Sequence, residues 1–206
     1  MENQQFIVKS KVQNEDLVKK RRSTIVDAAV DIFIKKGFDA ATTKEIAEKA
    51  NMKVGTMFQY VETKQDILYL VCCHIHAQME EVLLNLETKH LSPLESIVEF
   101  YSQFVKIVDD LSDHVVLMYK ETASLEPEAR RSFLHREKKL RHYIESILND
   151  GVEEGVFNLD QSEITLIAED ILVQSQMWAF RRWNLSKQFS LENYIDLRLQ
   201  FLKKLL

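Results

Sequence analysis

Along much of the chain apolar residues recur every three or four positions, the spacing of helices that bury one stripe. Ile25, Ala28, Ala29, Ile32 and Phe33 define the first such stripe. Asn14 offers a cap for its start, and Gly37 behind Lys35 and Lys36 predicts its stop. Residues 1 to about 13 show no period and read as a mobile arm. Thr42 stands three residues before Glu45, the capping-box spacing that opens a second helix from Thr43 to about Ala50. Asn51 follows, a residue type that tolerates the left-handed backbone of a tight turn, and a third short helix is predicted over 54–60. Thr63 and Asp66 give another capped start. From there Ile67, Leu68, Val71, Ile75, Met79, Val82, Leu83 and Leu86 trace a long strut over 64–89.

Further on, Ser92-Pro93-Leu94-Glu95 combines an N-cap, a proline at the first helical position and a glutamate at the third. Helices are predicted over 93–110, 113–124 and 127–150, with Gly155 stopping that region. Asp160 and Glu163 open a helix over 161–184, and Ser190 caps a last one over 191–205. The expectation is an all-α protein of about nine helices.

Composition agrees. Four glycines and two prolines among 206 residues leave little material for tight turns and hairpins. The opening MENQQFIVKSK lacks the apolar stretch of a secretory signal, and no apolar run has the length of a membrane span, so the chain is expected to be cytoplasmic with no membrane partner. Cys72 and Cys73 are adjacent and cannot staple distant parts of the fold. With His74 and His76 they suggest metal ligands, but one helix offers only two facing groups and no later cysteine completes a site. No nucleophile triad or glycine-rich phosphate loop stands out, so neither enzyme activity nor a cofactor is expected. The net charge of -5 hides an asymmetry: Leu17–Lys64 carries ten Lys or Arg against six Asp or Glu, whereas the rest is acidic. A basic head of that kind is drawn to phosphate.

Two short helices joined by a tight turn form the plan of a helix-turn-helix, whose second helix enters the major groove. The stretch from Thr42 to Lys64, TTKEIAEKANMKVGTMFQYVETK, resembles the DNA-binding signature of the TetR family. Ile46, Ala47, Met52 and Met57 are expected to form its small core. Gly55 keeps the groove side clear, while Thr56, Gln59 and Tyr60 carry groups suited to reading bases or sugar-phosphate. Thr42, Thr43 and Lys44 lie at a helix N-terminus that favours phosphate. Lys64 stands where the resemblance implies a backbone clamp. Lys9, Lys11, Lys19, Lys20, Arg21 and Arg22 also lie within possible reach of DNA. The stretch departs from the family pattern at Asn51 in place of the turn glycine, Lys53 in place of a serine cap, Val54 in place of a basic residue, and Phe58 in place of tyrosine. Lys53 adds a cation there, and the Phe58 ring is left to pack or to meet sugar or a thymine methyl.

The resemblance further implies an N-terminal arm and three-helix helix-turn-helix domain over 1–62, and a helical ligand-binding and dimerisation domain over 63–206. A homodimer would form through the helices near 161–184 and 191–205 and meet palindromic double-stranded operator DNA as a repressor. The segment 121–130, with Trp178–Trp183, looks like a subgroup that senses fatty acyl-CoA thioesters. Tyr101, Phe104, Tyr119 and Trp178 would line an apolar site, and Arg181 and Arg182 would face phosphates, with Arg130, Arg131 and Arg141 also available. The alternatives are a sensor of lipophilic cationic drugs and, from another class, a helical interaction module without DNA binding.

Overall fold

The structure, a computed structural model, describes residues 6–87 and 90–206. Among them are nine α-helices, one short 3-10 segment and no strand. The helices are α1 (Glu15–Ala40), α2 (Thr43–Lys49), α3 (Val54–Met57), α4 (Lys64–Leu84), α5 (Pro93–Asp110), α6 (Ser112–Glu121), α7 (Pro127–Glu153), α8 (Gln161–Leu185) and α9 (Leu191–Leu202). Two packing units divide them: 1–77 with 116–136, and 78–115 with 137–206. Helices α4, α6 and α7 each continue from one unit into the other. These units do not follow the expected division at residues 62/63.

In the first unit, Asn14 accepts the Leu17 amide and starts α1 as its sequence position implies. Ile25, Ala29 and Phe33 are fully buried, and such burial contributes about 1.5–3 kcal/mol for each large apolar side chain. Gly37 breaks the helical geometry with φ of 78°, which is where the predicted stop falls. The arm is a correction. Residues 6–13 are docked: Val8 is buried, the Phe6 amide donates to Ser132 Oγ at 3.0 Å, and the Phe6 ring meets the edge of Tyr69 at 4.9 Å. Its lack of period reflects an extended strand of contacts that no helical pattern marks. Residues 1–5 lie outside the described residues.

Asp66 starts α4 by accepting the Glu62 and Thr63 amides at 2.9 Å each. The strut is shorter than predicted, since α4 closes at Leu84. Residues 88 and 89 and the Val82 side chain lie outside what is described. The predicted 113–124 helix divides into α6 and a 3-10 turn, Thr122–Ser124, and the last helix ends at Leu202 rather than 205.

In the second unit α5 packs against α8 and α9. Ser92 with Glu95, and Asp160 with Glu163, form complete capping boxes on α5 and α8. At the end of α7 the Val156 amide reaches back to the Gly151 carbonyl at 2.8 Å around Gly155, whose φ is 72°. The Phe157 ring lands on Gly151, where a Cβ would lie 2.1 Å from Phe157 Cδ2. Phe100, Phe104, Ile144, Leu148 and Ala168 complete a core here.

Candidate DNA-binding site

The α2 start is built from both partners of its capping box. Thr42 Oγ1 accepts the Glu45 amide at 3.3 Å and donates to Glu45 Oε2 at 2.7 Å, while the Thr42 amide donates to that same oxygen at 3.0 Å. Lys36 Nζ lies 2.6 Å from Glu45 Oε1. The Lys36 and Thr42 hydrogen bonds together hold the Glu45 carboxyl down to about 2. The Thr42 hydroxyl and amide thus close the helix start internally, while Thr42 and Lys44 stay exposed and Thr43 is half-buried.

The turn follows from Asn51. The Asn51 amide reaches the Glu48 carbonyl at 3.0 Å and the Met52 amide reaches the Ala47 carbonyl at 2.8 Å, the paired bonds of a Schellman ending. That ending needs a left-handed residue between helix and strand of chain, and Asn51 supplies it at φ of 53°. Ile46, Ala47 and Met57 are fully buried and fix α2 against α3, whereas Met52 is only half-buried and sits at the core's margin.

Helix α3 starts without a side-chain cap, as Lys53 in place of serine implies. Its α-geometry ends at Met57, not residue 60. Tighter turns continue it, with Gln59 donating to the Thr56 carbonyl at 3.1 Å and Tyr60 to the Met57 carbonyl at 2.9 Å. A three-residue period rotates Tyr60 inward relative to an α-helix. Tyr60 is accordingly buried, 7% exposed, and its ring serves as scaffold rather than as an exposed reading group. Lys53, Gly55, Thr56 and Gln59 are exposed, and Phe58 is half-buried. A Cβ on Gly55 would meet nothing within 4 Å, so no internal contact demands glycine there. Lys64 is tethered: its Nζ donates to the Asp39 carbonyl at 3.2 Å and stands over the Phe38 ring at 4.3 Å.

Two residues outside the reading stretch tie the segments around it, and one of them holds the stretch itself. Arg22 Nε donates to the Tyr60 carbonyl at 2.9 Å, and its Nη2 donates to the carbonyls of Val8 at 2.7 Å and Lys9 at 3.0 Å. One guanidinium thus joins the arm, α1 and the end of the α3 turn. Burial lowers its pKa from the ordinary value and Asp66 opposes that shift. The arm also reaches the same turn directly, since the Lys11 amide donates to the Gln59 carbonyl at 2.9 Å. Buried Glu121, at the end of α6, accepts the Phe38 amide at 3.4 Å and the Ser124 hydroxyl at 3.2 Å beside the Gly37 break. No pattern in the sequence marks either role, because both act on main-chain groups.

The residues expected to line a ligand site are distributed differently. Tyr101, Phe104 and Trp178 are buried in the second unit, and Trp178 Nε1 donates to Asp109 Oδ1 at 2.8 Å. Arg182 pairs with that same Asp109 oxygen at 3.1 Å, and exposed Arg181 lies over the Trp183 ring at 4.8 Å. Arg141 is engaged by Glu145 and Glu169. Tyr119 belongs to the first unit and is 67% exposed, so its ring lines no enclosed site within that unit. Cys72 and Cys73 are reduced thiols rather than disulfide partners, and burial raises the Cys73 thiol above its ordinary value. Among the described residues no group of three His, Cys, Asp or Glu side chains could hold a metal ion.

A capped short helix, a left-handed turn and a second short helix with an exposed polar face define a helix-turn-helix DNA-binding protein. Residues 25–69 match the family described as bacterial regulatory proteins, tetR family. Residues 90–200 match the tetracyclin repressor-like C-terminal domain. The chain belongs to the TetR family and is a DNA-binding transcriptional regulator, of a class without enzymatic activity. It is 28% identical over 189 residues to the HTH-type transcriptional regulator HbdR of Aromatoleum sp. (strain CIB), covering 92% of this chain and 82% of that one. Two solved structures share the fold. AibR in complex with isovaleryl coenzyme A and operator DNA has a TM-score of 0.75 at 19% identity, covering 88% of this chain and 97% of that one. FadR from Bacillus subtilis in complex with stearoyl-CoA has a TM-score of 0.70 at 19% identity, covering 87% and 96%. No helix among the described residues is long and apolar enough to cross a membrane.

Proposed function

We propose that the chain is a homodimeric, ligand-responsive repressor that leaves its operator when a fatty acyl-CoA or similar apolar effector binds. Residues 1–62 would hold DNA and 63–206 would hold the effector and the partner subunit. The observation that carries the DNA half is the exposed set Lys44, Lys53, Gly55, Thr56 and Gln59 on and beside a second helix fixed by buried Ile46 and Met57. Gly55 is consistent with it, since this exposed position presents no side chain to an approaching partner.

For the effector, the support is the pair of fold relatives whose structures hold isovaleryl coenzyme A and stearoyl-CoA. For the dimer, it is the apolar surface left on two helices of the second unit, with Leu166 and Val173 on α8 and Phe201 on α9 all exposed. A two-state equilibrium links the halves: the effector-free dimer spaces its recognition helices about one DNA turn apart, and a ligand favouring another packing moves them off register.

Fluorescence anisotropy with labelled palindromic DNA from upstream of its own gene tests this reading. Stearoyl-CoA should release the DNA with a coupling of roughly 5- to 150-fold in affinity. An unchanged DNA affinity at saturating stearoyl-CoA would remove the acyl-CoA effector, and release by lipophilic cations instead would favour a drug sensor.

A further inference from the structure

The α9 face turned toward α5 carries an unusual polar group. Tyr194 and Arg198 are four residues apart on α9 and therefore share one side of the helix, and both flank the hydroxyl of Tyr101 on α5. Tyr101 is 1% exposed, yet no well-formed hydrogen bond closes on its hydroxyl, nor on the buried Nε of Arg198. The arginine ion pairs among the described residues engage Arg141 and Arg182, not Arg198. Tyr194 is committed elsewhere: its hydroxyl donates to the Gln174 carbonyl at 3.3 Å and its ring lies 4.9 Å from Trp178.

Arg198 and Tyr194 both lie near enough to interact with the Tyr101 hydroxyl, but the buried Nε of the partly buried Arg198 has no acceptor of good geometry, which is costly, and one oxyanion beside the Tyr101 hydroxyl would supply it. The Nε edge of a guanidinium matches a carboxylate or phosphate through two parallel hydrogen bonds. Burial also raises the Tyr101 pKa, which keeps the hydroxyl protonated and able to donate.

We propose that Tyr101 and Arg198, walled by Tyr194, form an oxyanion subsite that takes the carboxylate or phosphate of the effector. This rests on the ligand-responsive reading above. It adds the polar end of the ligand, which neither Arg181 nor Arg182 supplies, since they face Trp183 and Asp109.

Trp178 is a built-in reporter, because the chain has two tryptophans and Trp183→Phe leaves Trp178 alone beside Tyr194. In that background, oleate, oleoyl-CoA, inorganic phosphate and neutral oleyl alcohol are titrated while Trp178 fluorescence is read. The full-length protein is used, with Arg198→Gln, Arg198→Lys and Tyr101→Phe as variants and circular dichroism as the fold check. The expected result is saturable binding of at least one oxyanion, weakened tenfold or more by Arg198→Gln and Tyr101→Phe, partly restored in Arg198→Lys, with oleyl alcohol binding unaffected. Oleate favoured over oleoyl-CoA identifies a free carboxylate, and the reverse identifies a CoA phosphate.

The proposal is overturned if no anion binds, or if the variants bind within twofold of the parent. It is equally overturned if Arg198→Gln alters only the dimer dissociation constant, which would make a second subunit the source of the counter-charge. Arg198-dependent oleate binding without DNA release by oleoyl-CoA would keep the subsite and refute the acyl-CoA reading. DNA release by oleoyl-CoA that ignores Arg198 would do the opposite.

Discussion

Replacing Arg22 by Met separates two roles that its place in a basic run confounds. Methionine keeps much of the apolar stem but removes three hydrogen bonds, to the carbonyls of Tyr60, Val8 and Lys9. Hydrogen bonds from a charged donor are worth about 1.5–3 kcal/mol each when their loss leaves the partner unsatisfied. The Lys9 contact is exposed and water replaces it, whereas the other two are part-buried, so the expected loss is about 3 kcal/mol. For a chain of this length that lowers the melting temperature by about 6–12 °C.

Operator binding should weaken because the turn carrying Gln59 loses its tie to α1. The slope of log affinity against log salt should nevertheless stay the same. A phosphate contact behaves differently: its removal lowers that slope by about 0.9 and leaves the melting temperature unchanged. Thermal melts together with operator titrations at several salt concentrations read both quantities. A melting temperature equal to wild type with a reduced salt slope would refute the structural assignment and return Arg22 to the phosphate-binding set.

Substitutions at three further positions probe the scaffold. The Glu45 carboxyl is depressed from 4.5 to about 2 in the folded chain, so the stability it contributes is fully present above pH 4.5 and is lost as pH falls toward 2. Urea melts across that window should show a flatter pH dependence for Glu45→Gln than for wild type, and parallel curves would contradict the assignment. Asn51→Val should cost about 1–2 kcal/mol in such melts because a β-branched residue resists positive φ, while Asn51→Gly should be close to neutral. Equal losses for both would mean that the Asn51 side chain, not its backbone, holds the turn. Gly151→Ala should destabilise by about 1–3 kcal/mol through the Phe157 ring, and the loss should shrink when Phe157 is also replaced by Ala. Simple additivity in that double-mutant cycle would exclude the ring as the cause.

What could be read from sequence was whatever depends on residues close together in the chain. Thr42 with Glu45, Ser92 with Glu95, and Asp160 with Glu163 announced helix starts because each box is local, and the structure closes all three. Asn51 announced the turn because few residues accept its φ. The contacts that position the site were hidden for the opposite reason. Arg22 acts on carbonyls 13, 14 and 38 residues away, and Glu121 on an amide 83 residues away, and a carbonyl or amide carries no residue-type signature. Tyr60 misled because an α-helical projection carried it outward, while the tightened turn after Met57 brings it into the core. In the second unit aromatic residues at helical spacing announced burial, but burial alone does not distinguish a core from the wall of a ligand site. Trp178, held by Asp109 beside Tyr194, serves either role equally well.

The central claim is that the exposed face beside α3 reads DNA while α2 and the buried side of α3 hold it. Its most direct test is an anisotropy titration of the palindromic DNA upstream of the gene with wild type, Gln59→Ala, Thr56→Ala and Lys44→Ala. Wild type should bind with strong salt dependence. Gln59→Ala and Thr56→Ala should each lose about 1–3 kcal/mol on the cognate site and less on a scrambled one, while Lys44→Ala weakens both alike and lowers the salt slope by about 1. Wild-type binding without salt dependence or sequence preference, or all three variants binding as wild type does, would contradict the account.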